Sequence, residues 1–241
     1  MRQIVIGDIH WRDTWNHIVL YEWFFDEVIF LGDYFDSREG ITPEQQQDNF
    51  RNILQFKRNN TDRVKLLFGN HDYHYLPSVS EHYSWFNGVQ KYTVWEMLKD
   101  AISKDEVQLF YISNGVYFSH AGVSKHFLME NRLELRGPEM EKWLNDLLKF
   151  YPGKLWFNSR DVSSIWDHVS QSPIWIRPNA LVSSPPLLST IQVVWHTQVK
   201  HITFRLESPI HTLIQVDALW SGEYLIIEDG KFSVGNIYNV K

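Results

Sequence analysis

The sequence predicts an α/β fold whose leading strands run parallel. Three observations carry this. Over the first 70 residues, short apolar runs alternate with segments of helical spacing, in the order strand, helix, strand, helix, strand. Helical crossovers between successive strands imply parallel pairing. Each of these strand-like runs also stops at Gly-Asp or Gly-Asn, at the carboxyl end where such sheets hold ligands.

In order, Gln3–Ile6 is the first apolar run and ends at Gly7-Asp8. Trp15, Ile18, Val19 and Trp23 follow at helical spacing, with Asp13 or Thr14 as the cap. Glu27–Leu31 is the second strand and stops at Gly32-Asp33. Thr42-Pro43-Glu44-Gln45 reads as a capping box with proline at the first helical position, and Phe50, Ile53 and Leu54 form that helix's apolar stripe. Arg63–Phe68 is the third strand, ending at Gly69-Asn70. The aromatic segment Tyr73–Phe86 is expected to loop near the strand ends, as packing more than as a stacking platform. Val94–Ile102 reads as helix. Val107–Ile112 and Val116–Ser119 pair across Ser113-Asn114-Gly115 and deliver His120. Met140, Trp143, Leu144 and Leu147 mark a helix after Gly137-Pro138. Pro178–Pro186 is expected to be a surface loop. Ile191–Val194 leads to His196, and Leu213–Val216, Tyr224–Ile227 and Lys231–Val234 close the fold, the last two joined at Asp229-Gly230.

The length of 241 residues fits one domain, 1–241, with a substantial core, and 44% hydrophobic content argues against disorder. A net charge of −6 disfavours a broad nucleic-acid face. It does not disfavour a phosphate substrate, because bound metals reverse local charge. The absence of cysteine removes disulfides, thiol nucleophiles and zinc-thiolate sites. Met1 runs straight into the first strand with no visible signal peptide, and no apolar run is long enough to span a bilayer, so a cytoplasmic protein is expected.

Five motifs carry the chemistry: Gly7-Asp8-Ile9-His10, Gly32-Asp33-Tyr34-Phe35-Asp36, Gly69-Asn70-His71-Asp72, Ser119-His120-Ala121-Gly122 and Trp195-His196-Thr197. Together they supply carboxylates, imidazoles and one amide, the donors that hold two divalent metals side by side. Asp8 and His10, two apart, share a side if the segment is extended, and grip one ion. Asp33 bridges two ions with its two oxygens, Asn70 gives an amide oxygen to the second, and His120 and His196 complete the set. This mixed nitrogen and oxygen set suits manganese, placed first, or iron, zinc or nickel, better than calcium. His71 follows a ligand directly, points elsewhere, and can act as an acid, with Asp36 holding it protonated and oriented. Asp33 and Asp36 alone would read as turn residues, and His120 alone as a strand end; the ordered series outweighs those readings. The remaining histidines read as surface or core groups, with His74 the one whose position reopens the question.

These residues and their order resemble the calcineurin-like metallophosphoesterases, with the resemblance spanning roughly residues 4 to 197. It implies a two-sheet sandwich flanked by helices, and hydrolysis of phosphate esters by metal-activated water. The ending His196-Thr197-Gln198 lacks a second histidine and is similar to the phosphoprotein-phosphatase branch, which includes Ser/Thr phosphatases and symmetrical diadenosine tetraphosphatases. Gly32–Arg38 resembles that branch's GDYVDRG with the arginine displaced by one residue. Ser172–Arg177 resembles its segment before the last metal histidine, whose arginine grips phosphate. The resemblance therefore implies substrate binding by Arg177 and Arg38. Trp11 and Trp195 depart from the pattern, each standing where the branch has glycine, so either could crowd the site or reshape a turn.

The expected activity is a phosphomonoesterase of Ser/Thr-phosphatase type acting on a phosphoprotein or small phosphoester. The alternatives are a dinucleoside polyphosphate hydrolase, a phosphodiesterase or nuclease, and a catalytically silent scaffold on the same fold.

Overall fold

A computed structural model of the protein describes residues 1–7, 9–10, 12–37, 40–80, 82–132, 137–158, 167–185, 190–208 and 211–239. The chain runs β1 (Arg2–Ile6), α1 (Thr14–Tyr21), β2 (Glu27–Phe30), α2 (Pro43–Asn59), β3 (Val64–Leu67), α3 (Asn70–Tyr73), α4 (Lys91–Ser103), β4 (Val107–Gln108), β5 (Phe110–Ser113) and β6 (Val116–Ser119). It continues through α5 (Lys125–Glu130), α6 (Pro138–Phe150), α7 (Pro178–Ser183), β7 (Thr190–Val194), β8 (Thr203–Ser208), β9 (His211–Gln215), β10 (Glu223–Glu228) and β11 (Lys231–Asn236).

Two mixed sheets result. The first has the order β11-β10-β1-β2-β3-β4, and the second β5-β6-β7-β9-β8. In the first, β1 through β4 are parallel, as the strand–helix alternation predicts. In the second, β6, β7 and β9 are parallel.

Strand alternation explains the layers. Ile4, Ile6, Val28, Phe30, Val64 and Leu66 face a core built with helical residues such as Ile18, Phe50, Ile53, Val94, Leu98 and Leu144. Their neighbours Val5, Ile29, Leu31 and Leu67 point the other way and meet Val116, Phe118, Val193 and Ile214 of the second sheet. A strand buried on both faces reads as a continuous apolar run, which is why β1 to β3 were conspicuous in the sequence. On the outer face of the second sheet, Leu181 and Ala180 of α7 pack with Val194 and Leu213. The architecture is therefore a two-sheet sandwich flanked by helices. Among the described residues, no helix is long and apolar enough to cross a membrane.

Four local expectations change. Helix α1 stops at Tyr21, leaving Trp23 outside it and exposed, because Glu22 is drawn into an ion pair with Arg2 and accepts the Tyr224 hydroxyl at 2.7 Å. Asp13 is the N-cap by position, without a side-chain cap bond. The run Val107–Ile112 divides between sheets, with β4 joining β3 and β5 pairing β6. The expected loop at Pro178 begins instead with α7, because Asp167 accepts the backbone N–H groups of Arg177 and Ala180 at 2.9 and 2.8 Å. Residues 186–189 of that stretch lie outside the described residues. Strand β8 had no strong periodic signal. It is an edge strand whose Phe204 and Leu206 are exposed.

Candidate metal centre

The candidate residues gather at the carboxyl ends of parallel strands from both sheets. His10 follows β1, Asp33 and Asp36 follow β2, Asn70 and His71 follow β3, His120 follows β6 and His196 follows β7. Asp8 and Arg38 lie outside the described residues, as does Trp11.

Asp72 ties the β2 and β3 ends together. Its carboxylate accepts the backbone N–H groups of Asp33 (3.1 Å), Tyr34 (2.9 Å) and Gly69 (2.9 Å). The Asp33 side chain crosses back to accept the His71 N–H through Oδ1 at 2.9 Å. The Asp33 carbonyl accepts the His10 N–H at 2.7 Å. Two acidic side chains, accepting four N–H groups, and one backbone bond thus lock the ends of β1, β2 and β3 together.

The lock imposes unusual backbone. His10 (φ 30°), Asp33 (54°), Asp36 (67°) and His196 (39°) all occupy the left-handed region without being glycine. Such residues cost roughly 1–3 kcal/mol each and persist where surrounding contacts over-determine them. His10 is therefore in a turn, not on the extended segment expected for the Asp8–His10 pair.

The donor atoms converge. Asp33 Oδ2 is buried, has no hydrogen-bond partner among the described residues, and faces His10 Nε2 at 3.8 Å and His120 Nε2 at 3.6 Å. Oδ1 accepts the His71 N–H, and Oδ2 is the oxygen left without a hydrogen bond among the described residues. His120 Nδ1 donates to the Leu31 carbonyl at 2.8 Å, and His10 Nδ1 to the Phe35 carbonyl at 3.1 Å. A carbonyl can only accept, so the proton of each neutral ring sits on Nδ1 and the lone pair on Nε2. The rings are neutral. Burial holds His10 well below the usual imidazole value, and lowers His120 to about 3. Burial, with His120 and Arg177 nearby, also holds His196 well below it.

Asn70 Oδ1 lies 2.7 Å from His120 Nε2 and 3.0 Å from His196 Nδ1. Turning the amide over would relieve those contacts, yet leave Asp33 Oδ2 without a proton to accept. Burial, reinforced by Asp72, pushes the Asp33 carboxyl well above its ordinary range. A buried acid surrounded by lone pairs is the environment that a cation stabilises. The donor set therefore fits divalent metal.

A second group sits beside it. Asp36 Oδ2 pairs with His71 Nδ1 at 2.9 Å and His74 Nε2 at 2.5 Å, while Oδ1 accepts the Tyr75 hydroxyl at 2.5 Å. The Asp36 N–H donates to Gln46 on α2 at 2.9 Å. A ring nitrogen of His71 also falls with His10 and Asp33 in one group whose donor atoms lie within 4.8 Å of one another. His71 thus stands between the Asp36 network and the donor cluster. His74 and Tyr75 are the residues of this network that motif reading did not assign. Their signal is positional: the turn of α3 carries them back onto Asp36.

Arg177 is half-buried, and its Nη1 lies 3.5 Å from the Thr197 hydroxyl, next to His196. Trp195 does not occupy the donor cluster. Its indole is buried in the core between the sheets, with its ring edge-on to His10 and tilted against His120.

Residues 1–171 match the family model described as calcineurin-like phosphoesterase. Among solved structures, the chain is similar to a mutant of a cold-active protein tyrosine phosphatase, at 17% identity and TM-score 0.62, covering 98% of this chain and 78% of that one. It is also similar to a protein serine/threonine phosphatase from Saccharomyces cerevisiae, at 14% identity and TM-score 0.55, covering 100% and 81%. A metallophosphoesterase from Sphaerobacter thermophilus shares 14% identity and TM-score 0.51 over 98% and 87%. At such identities the likeness is one of fold. No curated protein gives a significant sequence match.

Proposed function

The chain belongs to the calcineurin-like phosphoesterase family, and from that premise we propose that residues 1–241 act as one domain that hydrolyses phosphate monoesters with two divalent ions. The observation that carries the reading is Asp33 Oδ2, buried without a hydrogen-bond partner among the described residues and facing Nε2 of both His10 and His120.

Asp8 and His10 would hold one ion, Asn70, His120 and His196 the other, and Asp33 would be shared between them. Manganese is placed first, with iron, zinc and nickel compatible with the same donors. When bound, such ions supply a nucleophilic water at neutral pH and neutralise phosphoryl oxygens.

The protein's own residues do the rest. Asp36 anchors Nδ1 of His71, so Nε2 is the nitrogen presented to the leaving oxygen, and His71 gives it a proton. Arg177, beside Thr197, grips the phosphate oxygens across from the donor cluster, with Arg38 in a similar role. The His196-Thr197-Gln198 ending, without a second histidine, supports a monoesterase of the phosphoprotein-phosphatase branch.

The test is elemental analysis joined to a panel of monoesters, diesters and dinucleoside polyphosphates. Metal-bound protein should turn over monoesters fastest and lose activity to chelator. Full activity in a sample shown to be metal-free would defeat the mechanism, and bound metal without turnover of any phosphoester would leave a silent scaffold.

A further inference from the structure

A closed circuit of hydrogen bonds stands behind Asp36. The Asp36 N–H donates to Gln46 Oε1 at 2.9 Å. A backbone N–H can only donate, so this oxygen is an acceptor. The other end of the Gln46 amide donates to the Ile41 carbonyl at 3.1 Å. Gln90 must then meet Gln46 Oε1 through Nε2, at 3.4 Å, and the same nitrogen donates to the Tyr75 hydroxyl oxygen at 2.8 Å. The Asn87 N–H donates to that oxygen as well, at 3.3 Å. Two donors fill its acceptor capacity, so the hydroxyl proton is left for Asp36 Oδ1, 2.5 Å away. The circuit returns to the residue where it began, and every bond in it has one direction.

Packing asks for the aromatic ring of Tyr75 and not for its hydroxyl. The ring is fully buried against Phe35, His74 and Phe86, and a phenylalanine would make the same contacts. Gln46 and Gln90 are buried too. Gln90 Oε1 is buried with no hydrogen-bond partner among the described residues, so the circuit costs stability. Apolar side chains in these places would fill the core without that cost. What the circuit provides is a fixed carboxylate. Oδ1 is held by Tyr75, and Oδ2 faces His71 Nδ1 at 2.9 Å and His74 Nε2 at 2.5 Å.

We infer that Tyr75 is a positioning residue for the acid. By holding Oδ1 it turns Oδ2 onto His71 Nδ1, and so sets the imidazole with Nε2 toward the leaving oxygen. The inference rests on the monoesterase reading above, in which His71 gives that oxygen its proton. Without the hydroxyl, the Asp36 carboxylate can turn about its Cβ–Cγ bond, and His71 loses a fixed anchor. A misplaced acid slows the protonated departure of a poor leaving group and leaves phosphate binding intact.

The experiment compares kcat and KM for glycerol phosphate and nitrophenyl phosphate in metal-loaded wild type, Tyr75→Phe, His71→Asn and the double variant. Tyr75→Phe should lower kcat on glycerol phosphate about tenfold, the scale of one hydrogen bond to a charged group, with KM and metal content unchanged. The loss on nitrophenyl phosphate, whose leaving group needs little protonation, should stay within about threefold. In the His71→Asn background the same substitution should cost less than about twofold, because the anchor has nothing left to orient. Equal losses on both esters, no loss on either, or an undiminished loss in the His71→Asn background overturns the inference. A second readout needs neither turnover nor a variant. In chelator-treated wild type, proton NMR should find the Tyr75 hydroxyl and His71 Nδ1 protons exchanging with water at a common rate, since releasing one carboxylate oxygen releases the other. Hydroxyl exchange more than about tenfold faster than that of the imidazole proton overturns the inference, and this measurement decides if Tyr75→Phe fails to fold. Common exchange in a protein that hydrolyses no phosphoester would keep Tyr75 as the anchor behind His71 and sink the monoesterase reading alone.

Discussion

The indole of Trp195 fills the space where a side chain on Gly7 would stand: a Cβ at residue 7 would lie 2.2 Å from Trp195 Cδ1. The two residues belong to different sheets, and each directly precedes a proposed metal ligand, Asp8 or His196. Trp195 also touches His10 and His120, with ring centres 5.3 and 4.8 Å away. A large residue near a glycine-favoured position is tolerated because the opposite strand end gives up its side chain.

That size match predicts a coupled pair. Gly7→Ala should destabilise the protein by about 1–3 kcal/mol through overpacking, and reduce retained metal by shifting the β1 end. Trp195→Phe alone should cost stability through lost packing, yet relieve part of the Gly7→Ala defect. Urea unfolding of both singles and the double gives the interaction energy, expected within about 0.5–3 kcal/mol. Simple additivity would show that the contact does not link the strand ends.

Asp33 should trade metal for stability. Its Oδ2 is a buried acceptor without a donor among the described residues. Asparagine keeps an oxygen for the His71 N–H and turns an amide donor toward His10 and His120. Asp33→Asn should therefore leave the metal-free protein as stable as wild type or more so, while abolishing tight metal retention and activity. Melting curves with and without chelator, read against metal content, check both halves. Normal occupancy of two ions in Asp33→Asn would remove Asp33 from the centre.

His71 and Asp36 should behave as one unit. Loss of a general acid costs about 10²–10⁴ in rate. His71→Asn should show a loss of that order on alkyl phosphates with metal content near normal, and a smaller loss on nitrophenyl phosphate, whose leaving group needs little protonation. Asp36→Asn added to His71→Asn should cost little more, because residues acting together are not additive. Equal losses on both esters would give His71 a different role.

Much of this site was legible because parallel strands broadcast it. Val5 faces the second sheet and Ile4 and Ile6 face the helices, so the run Ile4–Ile6 is apolar on both faces and its end at Gly7 is sharp. The same holds at β2 and β3, and the motifs mark their carboxyl ends. What remained hidden is tertiary. Nothing local announces left-handed backbone at His10 or Asp33, since neither is glycine; cross-loop bonds to Asp72 and His71 hold Asp33, and the bond to the Asp33 carbonyl holds His10. Asp72 closes the third motif, but its role in tying the strand ends together is set by backbone groups of Asp33 and Tyr34 on another loop. His74 stands out in the sequence by position alone, and its partner Asp36 is settled by the fold of α3. The helix at Pro178 depends on Asp167, ten residues upstream of Arg177, and no periodic signal spans that gap.

The Asp36 cluster also sets a pH dependence. Burial alone would raise the Asp36 carboxyl, but hydrogen bonds from His71 and His74 outweigh it and hold the group below its ordinary value. The folded state then favours the anion more than the unfolded chain does. Its stabilisation is full above the unfolded value of about 3.9 and is lost as pH falls through the lower folded value. In chelator-treated protein, the stability gap between wild type and Asp36→Asn should be largest above about pH 5 and close below about pH 4. A gap that widens on acidification would contradict the pairing.

Substrate charge gives the last test. The Arg177 guanidinium sits beside Thr197, one residue from His196, where a phosphate held by the donor cluster would present its outer oxygens. A planar guanidinium fork favours a phosphate with several free anionic oxygens. A monoester dianion offers three, whereas a diester offers two and brings a second substituent toward the arginine. Nitrophenyl phosphate should therefore be hydrolysed at least roughly tenfold more efficiently than its bis-ester, about 1.4 kcal/mol of differential transition-state binding. Arg177→Ala should lower the rate on the monoester and compress that preference, because the diester gains less from the fork. The pair of specificity constants, measured on wild type and Arg177→Ala at fixed metal content, separates the possibilities. A wild type that prefers the diester would place the protein among phosphodiesterases, and an unchanged ratio in the variant would show that Arg177 pairs within the protein and not with phosphate.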